Sequence, residues 1–382
     1  MKYPMFKVHI DVDGALGHLR DVLTSGYINE GIQVAEFQRA LTKLLEADNI
    51  VVVNSCTSAL TVALRLCGVG PDTDVVTTPM TCIATNTPIC NLGGEIVWAD
   101  MDPRTGSISA NDVAKRITPR TKAIICVAWA GTPCDLDALG EVARSSGIPL
   151  IQDAAHALGA TWRGRPISEF ADITCYSFQA IKHLSSGDGG ALIVRDPEML
   201  AKARKLKWFG YDRDRHKDEK GEWRGQRWDA DIDPGDVGYK FNMNNVAAAI
   251  GLSQMPHIEG IIAKHRQNAA AYNRAFANSS IVRPLEVPDA AVSSYWVYTA
   301  LLADDDVDRD RLLEDLNREG IGAGLVHLPN DTYSAFSASK VELPGVRRFA
   351  DRQFSLPCGW WLGESDSAYI AGRVHALAKP IH

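Results

Sequence analysis

NIVVVNSCTSALTVALRLC, residues 49–67, changes character halfway along. Ile50–Val53 is a β-branched and apolar run with no polar interruption, the pattern of a strand buried on both faces. Small polar residues follow at Asn54, Ser55, Thr57 and Ser58. From there apolar residues recur at 59, 60, 63, 64, 66 and 67, which is helical spacing. A buried strand running straight into a helix is the opening of an α/β layer. The alternation continues, with short strands predicted over 74–78, 95–99, 123–127, 149–152, 173–178 and 190–194. DLDALGEVARSSG, from Asp135, opens on acidic residues and closes on Gly147, both helix boundary signals. Near-continuous apolar strands joined by helices predict a largely parallel sheet covered on both faces.

The pattern changes after Tyr211. Residues 211–236 are dense in charges of both signs and read as a surface loop, with Trp223 and Trp228 docking part of it. A long helical pattern follows over about 244–277, interrupted near Pro256. YWVYTALL at Tyr295–Leu302 reads as a strand and Arg309–Arg318 as a helix. These assign residues 1–250 to a large α/β domain and 251–382 to a smaller C-terminal α+β domain. A chain of 382 residues is too long for one core, and 46% apolar content fills two.

Composition narrows the partners. With 47 acidic against 40 basic residues the net charge is −7, which gives no pull toward nucleic acid or anionic lipid. The most apolar run, Ala123–Ala130, is far short of the ~20 residues that span a bilayer. The N-terminus has neither an apolar core nor a cleavage signal, so a cytoplasmic protein is expected. Eight cysteines are scattered without a CxxC pair or zinc-ligand spacing, which predicts reduced, packed thiols and no metal.

Three short segments carry chemistry. Asp153, in PLIQDAAHALGA, follows a buried strand, where α/β sheets place their ligand crevice. On this segment alone it suits first an N-cap of an Ala-rich helix, and functionally a carboxylate that could hold a pyridine nitrogen protonated. In SFQAIKHLSSGDGG, residues 177–190, Lys182 stands among apolar and small residues. Burial of its ammonium would lower its proton affinity and free the amine for Schiff-base formation. Ser177 offers a donor to a phosphate, and Gly187, Gly189 and Gly190 permit a tight backbone. In NSCTSAL, residues 54–60, a helix start with Ser55, Thr57 and Ser58 forms a phosphate cradle.

VVNSCTSAL, QDAAHALGA, CYSFQAIKHLSSGDGG and GYKFNMNNVAAAIGL together resemble the motif series of the DegT-type sugar-nucleotide aminotransferases. SGYINEGIQVAEFQRAL at 25–41 and GIGAGLVHLP at 320–329 are similar to that family's opening and C-terminal patterns. The resemblance implies a fold type I pyridoxal phosphate (PLP) transferase, working as a homodimer with shared active sites. It implies Lys182 as the catalytic lysine holding PLP as an internal aldimine, and Asp153 as the partner of the ring nitrogen. His156 stands beside the ring's phenolic oxygen. Thr57, Ser58 and Ser177 would hold the phosphate, and Asn242, with Lys240 a second candidate, would reach the phosphate of the neighbouring subunit. Cys82 occupies the place where the family carries an aromatic residue stacked on the ring, and Lys207–Gly210 (KWFG) replaces a basic–His–Gly sequence. The implied reaction moves an amino group from an amino acid, glutamate by analogy, to a nucleotide-linked keto-sugar.

Other readings remain open at this stage: a PLP-dependent sugar dehydratase, an aminocyclitol aminotransferase, or a non-catalytic regulatory relative. His183 invites the dehydratase reading, because such relatives carry histidine in place of the Schiff-base lysine; Ser177 and the glycines set the register on Lys182 instead. A nicotinamide dehydrogenase is disfavoured, since no GxGxxG follows the first strand.

Overall fold

Seven apolar runs lie side by side in one sheet. In chain order they begin with β1 (Ile50–Val53), β2 (Asp74–Thr77) and β3 (Glu95–Trp98). After a two-residue hairpin of β4 (Met101–Asp102) and β5 (Ser107–Ile108) come β6 (Thr121–Val127) and β7 (Leu150–Asp153). A second hairpin, β8 (Thr161–Trp162) and β9 (Arg165–Pro166), precedes β10 (Ile173–Ser177) and β11 (Gly190–Val194). Across the sheet the order is β1-β11-β10-β7-β6-β2-β3. Neighbours from β10 to β3 are parallel, and β11 alone runs antiparallel to both of its neighbours. This computed structural model describes residues 1–212, 232–303, 307–336 and 341–378; most of the charged loop expected over 211–236, including Trp223 and Trp228, lies outside them.

The two-residue period of the strands divides the core. Val52, Ile124 and Cys126 face one apolar layer with Phe37, Leu41 and Phe178. Val51, Val53, Val75 and Ile125 face the other, with Leu60 and Leu64. Helices α1 (Val12–Ser25), α2 (Ile32–Leu45), α3 (Cys56–Leu66), α4 (Ile83–Asn91), α5 (Ala110–Arg116), α6 (Leu136–Ser146) and α7 (Pro197–Leu206) connect or cover the strands. α6 starts and stops as its sequence predicts: Asp135 accepts from the Ala138 amide, and Gly147 closes the helix at φ 65°.

The helical pattern after residue 244 is α8 (Asn245–Gln254) and α9 (Ile258–Phe276), separated by a 3-10 turn at Met255–His257. Among the described residues this run is the one long and apolar enough, by length and composition alone, to cross a membrane. Here it is broken at Pro256 and packs Ala248, Ala249, Ile258 and Tyr272 into the interior. A second, three-stranded antiparallel sheet joins β12 (Val282–Pro284), β14 (Tyr298–Leu302) and β15 (Gln353–Leu356), while β13 (Ala291–Val292) pairs with β8. Tyr272, Phe276, Tyr298, Leu316 and Ile370 form its core, together with Tyr3 from the other end of the chain. Tyr3 bridges Ile321, and the indoles of Trp360 and Trp361 donate to the carbonyls of Lys7 and Pro4.

Two local expectations differ from the structure. The strand expected from Tyr295 begins at Tyr298, because Tyr295 has φ 50°, outside the strand region. The amides of Ser294 and Trp296 bond instead to the carbonyls of Gly131 and Ala130. The Ala-rich segment after Asp153 is a series of turns rather than a helix. The Asp153 carboxylate accepts from the Ala155 amide two residues on, and Gly159 stands at φ 76°.

Candidate active site

The carboxyl ends of β6, β7 and β10 deliver Val127, Asp153 and Ser177 to one cavity of about 470 Å³, the crevice expected of an open α/β sheet. The start of α3 contributes Ser55, Cys56 and Thr57, and the loop before α4 adds Thr81 and Cys82. Gln179, Lys182 and Asp188 come from the turn between β10 and β11. His156, Trp296 and His327 supply the aromatic part of the wall.

Six of the nine residues singled out in the sequence therefore meet here: Thr57, Cys82, Asp153, His156, Ser177 and Lys182. Ser58 is buried behind the wall, where its hydroxyl donates to Asn54 Oδ1 at 2.6 Å and meets Ser55 Oγ at 2.9 Å. Asn242 and Lys240 stand outside the lining. Lys240 Nζ donates to Asn242 Oδ1 at 2.7 Å and lies 3.7 Å over the Trp208 ring, and Asn242 Nδ2 donates to Asn29 Oδ1. The KWFG segment thus has structural work: Lys207 forms a buried ion pair with Glu30 at 2.8 Å, and Trp208 carries Lys240.

Burial sets the charge states. Asp153 is 5% exposed; its Oδ2 accepts from Thr85 Oγ1 at 2.7 Å and its Oδ1 from the Ala155 amide at 3.0 Å. Desolvation raises its proton affinity, while Thr85, the Ala155 amide and Lys182 oppose that rise. Lys182 faces the cavity with its Nζ 3.5 Å over the Trp296 ring, and desolvation pulls its pKa down to about 8. His156 stacks on Trp296 at 3.9 Å and 15° and on His327 at 5.4 Å and 11°. Burial, with Lys182 beside them, holds both imidazoles well below the usual histidine range, His327 at about 3, so both are neutral at pH 7. Neutral rings each keep one donor and one acceptor. Among these atoms, His156 Nδ1 and His327 Nε2 have no partner.

The sequence carried no local sign of Trp296 or Thr85. Trp296 arrives from the small-sheet side of the chain, fixed by Nε1 donating to the Ile181 carbonyl at 2.8 Å. Ser294 Oγ donates to the His156 carbonyl, and a Cβ on Gly131 (φ 100°) would strike Ser294 and Tyr295.

Gly190 shows how closely the sheet supports the cradle. A Cβ there would lie 2.5 Å from the Cys56 amide nitrogen and the Ser55 carbonyl carbon, at the first residues of α3. Gly190→Ala should cost about 1–3 kcal/mol of stability by overpacking and push the α3 start out of place. Denaturant melts together with cofactor titration of the variant would check this; unchanged stability and unchanged cofactor affinity would exclude it.

A buried carboxylate and a buried amine of lowered proton affinity share this cavity with two neutral imidazoles and a helix start. That donor set fits pyridoxal phosphate, with an acid for the ring nitrogen, an amine for the aldehyde, an unpartnered imidazole nitrogen and a phosphate cradle. Fold and site define a PLP-dependent aminotransferase of fold type I. The model of the DegT/DnrJ/EryC1/StrS aminotransferase family matches residues 11–375, and the chain belongs to that family. It is 31% identical over 372 residues to the spore coat polysaccharide biosynthesis protein SpsC of Bacillus subtilis (strain 168), covering 94% of this chain and 93% of SpsC. The crystal structure of the sugar aminotransferase CalS13 from Micromonospora echinospora superposes with a TM-score of 0.89 at 32% identity, over 98% of this chain and 99% of that one. Spr1654 of Streptococcus pneumoniae, solved in PLP and pyridoxamine phosphate forms, superposes with TM-scores of 0.87 and 0.88 at 25% and 26% identity, over 98% of each chain. The protein is a sugar aminotransferase that uses PLP.

Proposed function

We propose that the protein transfers the amino group of glutamate to a keto-sugar carried on a nucleotide, with Lys182 as the covalent attachment point and proton carrier. The observation that carries this reading is the pairing of Lys182 and Asp153 in one cavity, each with its proton affinity altered by burial. When bound, PLP supplies an aldehyde for amine capture and a ring that withdraws electrons from the donor's Cα. Lys182 would hold that aldehyde, and its amine would be the group placed to carry the donor's Cα proton. Asp153 would keep the ring nitrogen protonated, and His156, whose Nδ1 has no partner, would stand beside the phenolic oxygen. Thr57, Ser177 and the first turn of α3 hold the phosphate. Ser58 supports that turn, its own hydroxyl donating to Asn54. Cys82 leaves that wall without an aromatic cover.

Asn242 and Lys240 act on the phosphate of a second subunit. Both stand outside their own cavity, and Asn242 bonds to Asn29, which directly follows the exposed Tyr27 and Ile28 in the chain. An apolar face of this kind suits burial against a second copy. The similarity of the whole motif series to sugar-nucleotide aminotransferases supports the acceptor class.

Two experiments test the reading. The PLP form is mixed with glutamate, glutamine or alanine, and the resulting pyridoxamine form is presented with keto-sugars linked to dTDP, UDP, GDP or CMP. Return of the PLP spectrum with a nucleotide-linked keto-sugar is expected; no return with any of them would exclude the acceptor class. Separately, the lowered proton affinity of Lys182 predicts a pH signature, because only the unprotonated amine attacks an aldehyde. In cofactor-free protein, reductive alkylation at position 182 should rise through about pH 8, instead of near the ordinary lysine value of ~10.4. Peptide mass measurement across pH reads this out, and a midpoint near the ordinary value would contradict it.

A further inference from the structure

Asp153 is served by two hydroxyls that the reaction itself does not require. Thr85 Oγ1 donates to Asp153 Oδ2 at 2.7 Å, and Thr81 Oγ1 lies 2.8 Å from Thr85 Oγ1. All three residues are buried: Thr85 at 0%, Thr81 at 1% and Asp153 at 5% exposure. A threonine hydroxyl has one proton. Since Thr85 spends its proton on the carboxylate, its oxygen must accept from Thr81, and the direction of both bonds follows from the charge on Asp153. With Oδ1 taken by the Ala155 amide and Oδ2 by Thr85, the carboxylate is pinned at both oxygens.

We propose that Thr85 and Thr81 are positioning residues, forming a buried relay, Thr81 to Thr85 to Asp153, that keeps the Asp153 carboxylate oriented and ionised for the cofactor's ring nitrogen. The proposal rests on the role assigned above to Asp153. The backbone around the relay is held independently of it. Asn330 Nδ2 donates to the Thr81 carbonyl at 2.8 Å, and Asn86 Nδ2 donates to Asn330 Oδ1 at 2.8 Å and to the Thr78 carbonyl at 3.2 Å. A valine at 85 therefore removes a hydroxyl from an otherwise fixed frame. The charged and titratable groups facing Asp153 are Lys182 and the thiols of Cys56 on α3, Cys126 on β6 and Cys175 on β10. Burial raises the proton affinities of the Cys56 and Cys175 thiols, and a hydrogen bond with Cys134 together with burial raises that of Cys126, so they are neutral and cannot replace the relay.

A hydrogen bond to a buried charge is worth about ten- to a hundred-fold in an equilibrium. Thr85→Val should weaken PLP binding to the cofactor-free protein by that factor, read by absorbance titration without any substrate. Thr85 lowers the proton affinity of Asp153, so its loss lets Asp153 protonate at higher pH, and the acid limb of the binding profile should move upward. Thr85→Ser, which restores the hydroxyl, should recover affinity and profile, and Thr81→Val should fall between valine and wild type. Asp153→Asn separates the two levels of argument. If Asp153→Asn binds PLP like wild type, the role of Asp153 falls. If Asp153→Asn is impaired while Thr85→Val keeps wild-type affinity and pH profile, the relay alone falls. If Thr85→Ser is as impaired as Thr85→Val in protein that melts like wild type, the threonine acts through its methyl group and the relay is overturned.

Discussion

Lys182→Ala should leave less than about 1% of wild-type transamination while preserving the fold. A placed acid–base group alone is worth roughly 10²–10⁴-fold, and the proposed role gives this lysine a second task as the point where the aldehyde is held. The side chain makes its described contact over the Trp296 ring, and the backbone amide at 182, which donates to the Gln179 carbonyl at 2.9 Å, is kept in the variant. The truncation also removes a partly desolvated ammonium. Its pKa is about 8 in the fold against an unfolded value of ~10.4, so the fold disfavours its proton. That penalty is fully present below about pH 8 and fades as pH rises toward the unfolded value. Cofactor-free Lys182→Ala should thus melt at or above wild type at neutral pH, with no advantage in alkali. Turnover assays with a circular dichroism melt check both halves. Several per cent residual turnover would remove Lys182 from its role, and a collapsed melt would show that it is structural.

Asp153→Asn should be nearly as damaging, by a different route. The substitution keeps shape and removes charge, so under the proposed role the ring nitrogen loses the acid that holds its proton. It also turns one of two acceptors into a donor facing either Thr85 Oγ1 or the Ala155 amide. Breaking a buried charge pair by removing one partner costs about 3–5 kcal/mol, which corresponds to roughly 10²–10⁴-fold in kcat/KM for the first half-reaction. Stopped-flow absorbance over a range of subsaturating glutamate concentrations would measure it. A loss smaller than about threefold would show that the carboxylate is an N-terminal turn former and nothing more.

How much of this was legible in the sequence differs between scaffold and site. The strands were readable where their residues are buried on both faces and so nearly all apolar: Ile50–Val53 and Gly190–Val194 are buried throughout. Lys182 and Asp153 were readable because each stands out against small or apolar neighbours. Trp296 was not, since its sequence neighbours read as a strand and its role arises from His156, 140 positions earlier, and from the turn at Tyr295. Thr85 looks like any threonine in a helix; its meaning comes from β7, which sits two strands away from β2 in the sheet. Alanine's helix propensity misled at 154–160, where Asp153 captures the Ala155 amide and a left-handed Gly159 turns the chain.

The most direct test of the account is chemical. Protein saturated with PLP is reduced with borohydride, digested, and the peptide carrying residues 177–190 is sequenced by mass spectrometry. The account predicts a single phosphopyridoxyl adduct on the side chain at position 182, absent when glutamate is added before reduction. An adduct on any other lysine, or an unmodified residue 182 in protein that has lost its visible band, would contradict it.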